Sequence, residues 1–373
     1  MRLEQLSINT AIGSHNADNT MKIVVDVTHP SDFHFVRNFI REMEKRGHEI
    51  LITASAKDVT YSLLDNYGFQ YVKLGSYGDS LVEKMVNMFL LDIRMYVAVK
   101  KFKPDIFLGS GSIRAAHVAY LLKKPCVNFE DTEHSTEQIR LYLPFVRTVC
   151  TPSCFIGDLG PKQIRFKGYK ELASLHPGRF TPNPAVLDEI GLKPDDPFIV
   201  LRFVSWKASH DIGQHGIRDK VSLTKALGCY GRVLITSEGP LPPELEQYRI
   251  RVSPMKMHDL LYYATLYMGE GGTMASEAAV LGTPSIFISS LVGTMGNFIE
   301  LEETYDLLYS FTEEDPALSR AEKILQDPES KERWKIKLNR MLKDKIDVTA
   351  FMVRFIENYP HSFIEMKEQQ KIP

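Results

Sequence analysis

Residues 268–284 read MGEGGTMASEAAVLGTP. Two adjacent glycines, Gly271 and Gly272, follow a short apolar run. Thr273 comes next, and a carboxylate, Glu277, stands about one helical turn further on. An α-helix leaves its first four N–H groups without partners and carries roughly half a positive charge at that end. With no Cβ in the way, Gly271 and Gly272 let an oxyanion approach those amides closely, and Thr273 can cap the helix or donate to an oxygen. A diphosphate suits such a place, and it needs no metal, because the backbone supplies much of the positive field. An acid so close to a phosphate costs binding unless it has a partner of its own. The vicinal hydroxyls of a ribose are such a partner. Thr273, Ser276 and Glu277 together therefore point to a nucleoside diphosphate. The plainer alternative is a glycine-turned helix with a solvated glutamate.

Other loops carry further candidates. In DVTHPSDFHF, His34 stands near the start of an amphipathic helix. An imidazole there can take a proton from a hydroxyl at neutral pH, or it can serve the helix structurally; His29 is a weaker candidate on the same loop. GSGSIRAAH places Gly109, Ser110 and Gly111 before a helix. As a dinucleotide fingerprint it lacks the third glycine and follows a late strand, so it reads as an acceptor-binding or anion-binding helix start. NFEDTEHS crowds Glu130, Asp131, Glu133 and His134. Like charges raise one another's pKa, which suits Glu130 and Asp131 to acid–base work. A solvated acidic loop is the alternative, and so is a metal held by Asp131, Glu133 and His134. No Asp-x-Asp accompanies them, and no metal site or cofactor is assigned. In LRFVSWKASHDIGQHG, Arg202 can grip a phosphate as a planar fork. Ser205, Trp206 and Lys207 follow on the loop, where the indole can stack on a base or fill a core. Ser237 and Glu238 end another strand on the same side.

These loops need strands and helices to hold them. KIVVDV, EILIT, QYVKLG, DIFLGSGS, PCVNFED and RTVCTP read as strands, with apolar-faced helices between them. Such alternation implies a parallel, doubly wound α/β sheet. The rhythm breaks at GYKELASLHPGRFTPNP and restarts with PFIVLRF, RVLITSEG, TLYMGE and PSIFIS. The chain of 373 residues is therefore divided into a polar leader over 1–20, expected to be disordered, a first Rossmann-like domain over 21–167, a second over 168–345, and a helix over 346–359. Ligands of open α/β sheets bind beyond the carboxyl ends of the strands, and two such domains leave a cleft between two sets of those ends.

Composition narrows the classes. A formal net charge of −2 argues against a protein that coats nucleic acid. The four cysteines read as reduced thiols of a cytoplasmic protein. The stretch MVNMFLLDIRMYVAV is broken by Asp92 and Arg94 and falls short of a membrane span. The helix SKERWKIKLNRMLKDK carries seven basic residues, with Trp334, Leu338, Met341 and Leu342 at helical spacing. It reads as a packed helix with a solvated basic face, or as a peripheral dock on the inner face of an anionic membrane that would suit a lipid-linked acceptor.

GEGGTMASEAAVLGTP resembles the donor-site motif of GT-B-fold glycosyltransferases and of the related UDP-N-acetylglucosamine 2-epimerases. The resemblance implies that Gly271, Gly272, Thr273, Ser276 and Glu277 bind the nucleotide half of a sugar nucleotide, and that RVSPMKMHDLLYYA packs beside the base. Together with MKIVVDVTHPSDFHF, LRFVSWKASHDIGQHG and FKGYKELA, it makes the chain similar, from Met21 to about Tyr359, to the family known as domain of unknown function 354. That likeness implies a GT-B-like pair of Rossmann-like domains facing a central cleft, with the last helix crossing back to the first domain. The expected activity is metal-independent transfer of a sugar, UDP-linked, to an acceptor hydroxyl, with His34 as base. The alternatives are a sugar-nucleotide 2-epimerase using Glu130 and Asp131, and a nucleotide-sugar sensor without turnover. The sequence departs from both relatives. Asp32-Phe33-His34 replaces the Gly-Gly-His of the peptidoglycan transferase, and Asn128-Phe129-Glu130 only partly matches the epimerase His-x-Glu.

Overall fold

The computed structural model describes residues 20–78, 81–204 and 216–370. The leader over 1–19 and the loop residues Ser205, Trp206 and Lys207 lie outside the described residues. Seven strands form the first sheet: β1 Lys22–Val27, β2 Glu49–Ser55, β3 Tyr71–Gly75, β4 Ile106–Ser110, β5 Cys126–Phe129, β6 Thr148–Pro152 and β7 Gln163–Phe166, in the order β3-β2-β1-β4-β5-β6-β7. The second sheet holds β8 Phe198–Phe203, β9 Arg232–Ser237, β10 Leu266–Gly269, β11 Ser285–Ile288 and β12 Leu308–Phe311, in the order β12-β11-β10-β8-β9. Every pairing is parallel. The order in each sheet reverses beside its first strand, β1 or β8. There the connections diverge and leave a crevice at the carboxyl ends.

Local chemistry explains why the first helix, Pro30–Lys45, starts where it does. The His29 side chain accepts from the amide of Ser31, Pro30 occupies the first turn, and the Asp32 carboxylate reaches back to the amides of Thr28 and His29. This reciprocal capping fixes the loop after β1. Phe35, Val36, Phe39, Ile40 and Met43 are all buried at i, i+3, i+4 spacing. Gly47 ends the turn after the helix at φ +87°, a conformation that other residues adopt only with strain.

Beneath the same loop lies a buried ion pair. Asp26 and Arg114 are both 0% exposed, and Arg114 Nε stands 2.9 Å from Asp26 Oδ2. Ser112 Oγ and Thr53 Oγ1 each donate to Asp26 at 2.6 Å. A buried pair with all its remaining positions hydrogen-bonded is tolerated, whereas either half alone is not. It ties β1, β2 and the Ile113–Leu121 helix together at the carboxyl edge of the sheet.

The segment that breaks the strand–helix rhythm is ordered and packed. Leu172–Leu175 forms a short helix with all four residues buried against the first helix. Further on, Val348–Glu357 returns to the first sheet's side. Thr349 Oγ1 donates to Ala173 O at 2.7 Å, Phe351 stacks on Phe166 at 5.2 Å, and Gly168 leaves room for Val348. A helix over His361–Gln369 follows, and Gln370 donates to Arg165 O beside β7. The basic helix Ser330–Asp344 is packed, as the first of its two readings has it. Trp334 and Met341 are buried, Trp334 Nε1 donates to Leu307 O, and Leu338 packs on Gly282. Trp334, Met341 and Leu338 therefore belong to the second half's core, while Ile336 stays exposed. Among the described residues no helix is long and apolar enough to cross one.

Candidate functional site

The glycine turn sits at the carboxyl end of β10. The helix that follows, Gly272–Leu281, has Gly271 as N-cap and no side-chain capping bond. Its first amides are therefore presented without an internal acceptor from a side chain. The two glycines do different work. A Cβ at Gly271 would lie 2.8 Å from Arg202 Cγ, so this glycine lets Arg202 pass beneath the turn. A Cβ at Gly272 would meet nothing closer than Phe298 at 3.6 Å, so this position is open. Thr273 is exposed beside it. Glu270 is turned inward, where its carboxylate accepts from the amides of Val204 and Ile217 at 2.9 and 2.7 Å. It thereby ties the end of β8 to Ile217.

Glu277 is not a solvated glutamate. It is 7% exposed, and its Oε1 lies 3.0 Å from His258 Nε2. The His258 ring in turn packs edge-on against His34 at 4.5 Å between centroids. His34 comes from the first helix of the chain and His258 from the Met257–Tyr263 helix, so the contact bridges the cleft. His34 Nδ1 is buried without a hydrogen-bond partner. Burial, then the nearby His258 and Arg37, hold the His34 pKa well below its ordinary value. At neutral pH the ring is an uncharged imidazole, the form that can accept a proton.

Ser276 and Arg202 both have partners within the chain. Ser276 Oγ donates to Glu171 Oε1 at 2.5 Å and lies 3.0 Å from Thr273 O. It is buried and joins the glycine-turned helix to the connector between the sheets. Arg202 donates from Nη1 to Thr236 Oγ1 at 2.9 Å and from Nη2 to Glu238 Oε1 at 2.6 Å. Both ends of its fork are thus engaged, and it stands beside the turn as a held charge. Ser237 turns its hydroxyl to Gly239 O.

The first half contributes an acidic group with one cation in it. Glu130 is 6% exposed; its Oε1 accepts from the amides of Asp131 and Thr132 and its Oε2 from Tyr142 Oη at 2.8 Å. Burial and then the charge of Asp131 push its pKa up to about 7. Asp131 Oδ1 lies 3.7 Å from Lys170 Nζ, and Lys170 also pairs with Asp32 at 3.3 Å. Burial opposes the charge of Lys170, but Asp131 and Asp32 outweigh it and raise its pKa. Glu171 follows in the chain. Burial and Asp131 push its pKa up to about 7 as well, and its Oε2 is buried with no hydrogen-bond partner. Glu133 accepts from the amide of Gly296 at 2.9 Å, another bond across the cleft.

The Gly109–Ser110–Gly111 turn is filled rather than open. A Cβ at Gly109 would fall 2.5 Å from Asn128 Oδ1, Gly111 O accepts from Gln138 Nε2 at 2.6 Å, and Ser112 caps the helix by accepting from Ala115. The structure therefore brings together His34, Asp131, Glu277 and the turn at Gly271–Thr273. It adds Lys170, Glu171 and His258, which the sequence reading did not single out, and it leaves the glycine turn after β4 as a packing element.

Comparison with known proteins agrees with this architecture. Residues 21–354 match the family model described as Protein of unknown function (DUF354), and the chain belongs to that family. An uncharacterized protein of Methanocaldococcus jannaschii, MJ0665, is 25% identical over 279 residues, covering 71% of this chain and 81% of that protein. Among solved structures, the spinosyn forosaminyltransferase SpnP superposes with a TM-score of 0.60 at 13% identity, covering 91% of this chain and all of its own. The UDP-GlcNAc 2-epimerase of M. jannaschii gives 0.58 at 15% identity, over 87% and 99% of the two chains. The S. aureus MnaA–UDP complex gives 0.64 at 11%, over 92% and 98%. At these identities the likeness is one of fold, the GT-B-like α/β arrangement shared by glycosyltransferases and these epimerases.

Proposed function

We propose that this chain moves a sugar from a nucleotide-diphosphate sugar, UDP-linked, to an acceptor hydroxyl, without a metal. The observation that carries the reading is the uncapped amide end at Gly272–Thr273, with Glu277 one turn further on and His34 facing it across the cleft by way of His258. The diphosphate would rest on those amides, beside the charge of Arg202, where departing negative charge is stabilised as it develops. The ribose diol would share the carboxylate of Glu277 with His258. His34, neutral and desolvated, would take the acceptor's proton. Ser276 would act by holding the helix to Glu171 and not by touching the nucleotide.

A second reading, reversible epimerisation at C2 of the sugar, draws on a specific feature. Glu130 and Glu171 both have pKa values pushed up to about 7, which suits carboxyls that give and take protons. Both oxygens of Glu130 are occupied internally, which leaves Glu171 and Asp131 as the groups available to that chemistry. Incubation with UDP-N-acetylglucosamine and no acceptor separates the two. UDP release that depends on an added acceptor fraction supports transfer. Accumulation of the 2-epimer overturns transfer in favour of epimerisation, and binding without either product leaves a sensor.

A further inference from the structure

A second cavity, of about 280 Å³, opens between the first helix and the start of the Met257–Tyr263 helix. Its lining includes Arg37, Arg41, Tyr67, Arg179, His258 and Asp259. Three of its eleven lining residues are arginines. Arg37 follows His34 by one turn of the same helix, and Arg41 follows Arg37 by another. Neither arginine has a carboxylate in ion-pairing reach among the described residues. Arg37 is 9% exposed, and its hydrogen bond goes to a neutral phenol, Tyr67 Oη, at 2.6 Å. Arg41 donates to Tyr67 O at 3.1 Å and lies over the Phe69 ring.

The contrast with Arg114 shows what is missing. That guanidinium is also buried, and Asp26 lies against it at 2.9 Å. Burial holds the Arg37 pKa below its ordinary value; the Tyr67 phenol and the more distant charge of Glu277 oppose this without an ion-pair contact. Two like charges four residues apart on a helix repel as well. Arg179 adds a third positive group, itself steadied by Asp347 at 2.8 Å and Glu42 at 3.1 Å. The single carboxylate in the wall, Asp259, is turned to the amide of Asn183 at 2.8 Å. Among the described residues, the cavity thus gathers three guanidinium groups, with Asp259 as the one carboxylate in its lining.

We propose that this cavity is a binding site for the phosphate group of a second small ligand, separate from the glycine turn. Arg37 and Arg41 supply the planar donor groups that suit a phosphate, and Asn183 and His258 reach it from the opposite wall. Because His258 also touches Glu277 and His34, an anion there would sit against the back of the candidate site and draw the two halves together. This inference does not depend on sugar transfer.

The test is calorimetric titration of the full-length protein with inorganic phosphate, and separately with UDP. Wild type is expected to take up phosphate. Arg41→Gln, at an exposed position that leaves the fold intact, should weaken phosphate binding at least threefold, and Arg37→Gln with Arg41→Gln at least tenfold. UDP affinity should stay within threefold in both variants. No phosphate uptake by wild type, or unchanged phosphate affinity in both variants, overturns the inference. So does UDP competing with phosphate, since the cavity would then be part of the nucleotide site. If UDP fails to bind while the phosphate pattern holds, the proposed function falls and the phosphate site stands.

Discussion

Glu130 gives the most quantitative prediction. Its carboxyl is buried beneath the acidic loop, beside Asp131, and its pKa in the folded chain is pushed up from 4.5 to about 7. A carboxyl whose folded pKa is raised favours the folded state while both states are protonated, below about 4.5. That advantage is lost between about 4.5 and 7, because the unfolded chain ionises there while the folded, desolvated carboxyl keeps its proton. At about 1.4 kcal/mol for each pH unit, the gap amounts to about 3 kcal/mol at most. Glu130→Gln keeps the shape, lets the amide oxygen accept from Asp131 and Thr132, and cannot ionise. Other titrating groups, His34 and Glu171 among them, are present in both proteins and cancel in the comparison. The measurement is urea unfolding of wild type and variant between pH 4.5 and about 8. The stability of wild type relative to the variant should fall by about 2–3 kcal/mol across that range. A difference that is flat with pH refutes the placement of this carboxyl.

Three more outcomes follow from named contacts. Asp26→Ala removes the counter-charge of a fully buried arginine, so it should cost about 3–5 kcal/mol of unfolding free energy by denaturant titration. Gly272→Ala adds a Cβ that meets nothing within 3.5 Å; its thermal midpoint should hold or rise slightly, while UDP affinity measured by calorimetry drops at least tenfold. Burial and His258 hold the His34 pKa down. Wild type should therefore lose stability, relative to His34→Asn, as pH falls below about 6.5, because the unfolded chain takes up a proton that the folded one resists.

Much of the fold was legible from short β-branched runs and from glycines with a conformational duty. KIVVDV and PFIVLRF could hardly be anything but buried parallel strands, and Gly47 and Gly68 mark turns at positive φ. QIRF and LYSF, the strands β7 and β12, mix polar and apolar residues and carry no such pattern. At the site, the glycine turn and Glu277 were readable because bare backbone, a helix start and an acid fall within a few residues of one another. Glu171, Lys170 and His258 were not. Their roles come from partners far away in the chain, as in the bond from Ser276 to Glu171 across the connector, and a local pattern cannot show which acids end up desolvated. The same limit explains the glycines after β4. Their spacing suggested an anion site, whereas Asn128, Ser112 and Gln138 fill the space. For the helix Ser330–Asp344, apolar spacing alone could not distinguish a membrane face from a face packed on Leu307 and Gly282.

The central claim is that a nucleoside diphosphate lies at Gly271–Thr273 with its ribose on Glu277. A crystal of the full-length protein grown with UDP tests it most directly. The account predicts diphosphate oxygens against the amides of Gly272 and Thr273, and ribose hydroxyls on the Glu277 carboxylate beside His258. UDP bound anywhere else, or a ribose turned away from Glu277, would contradict it.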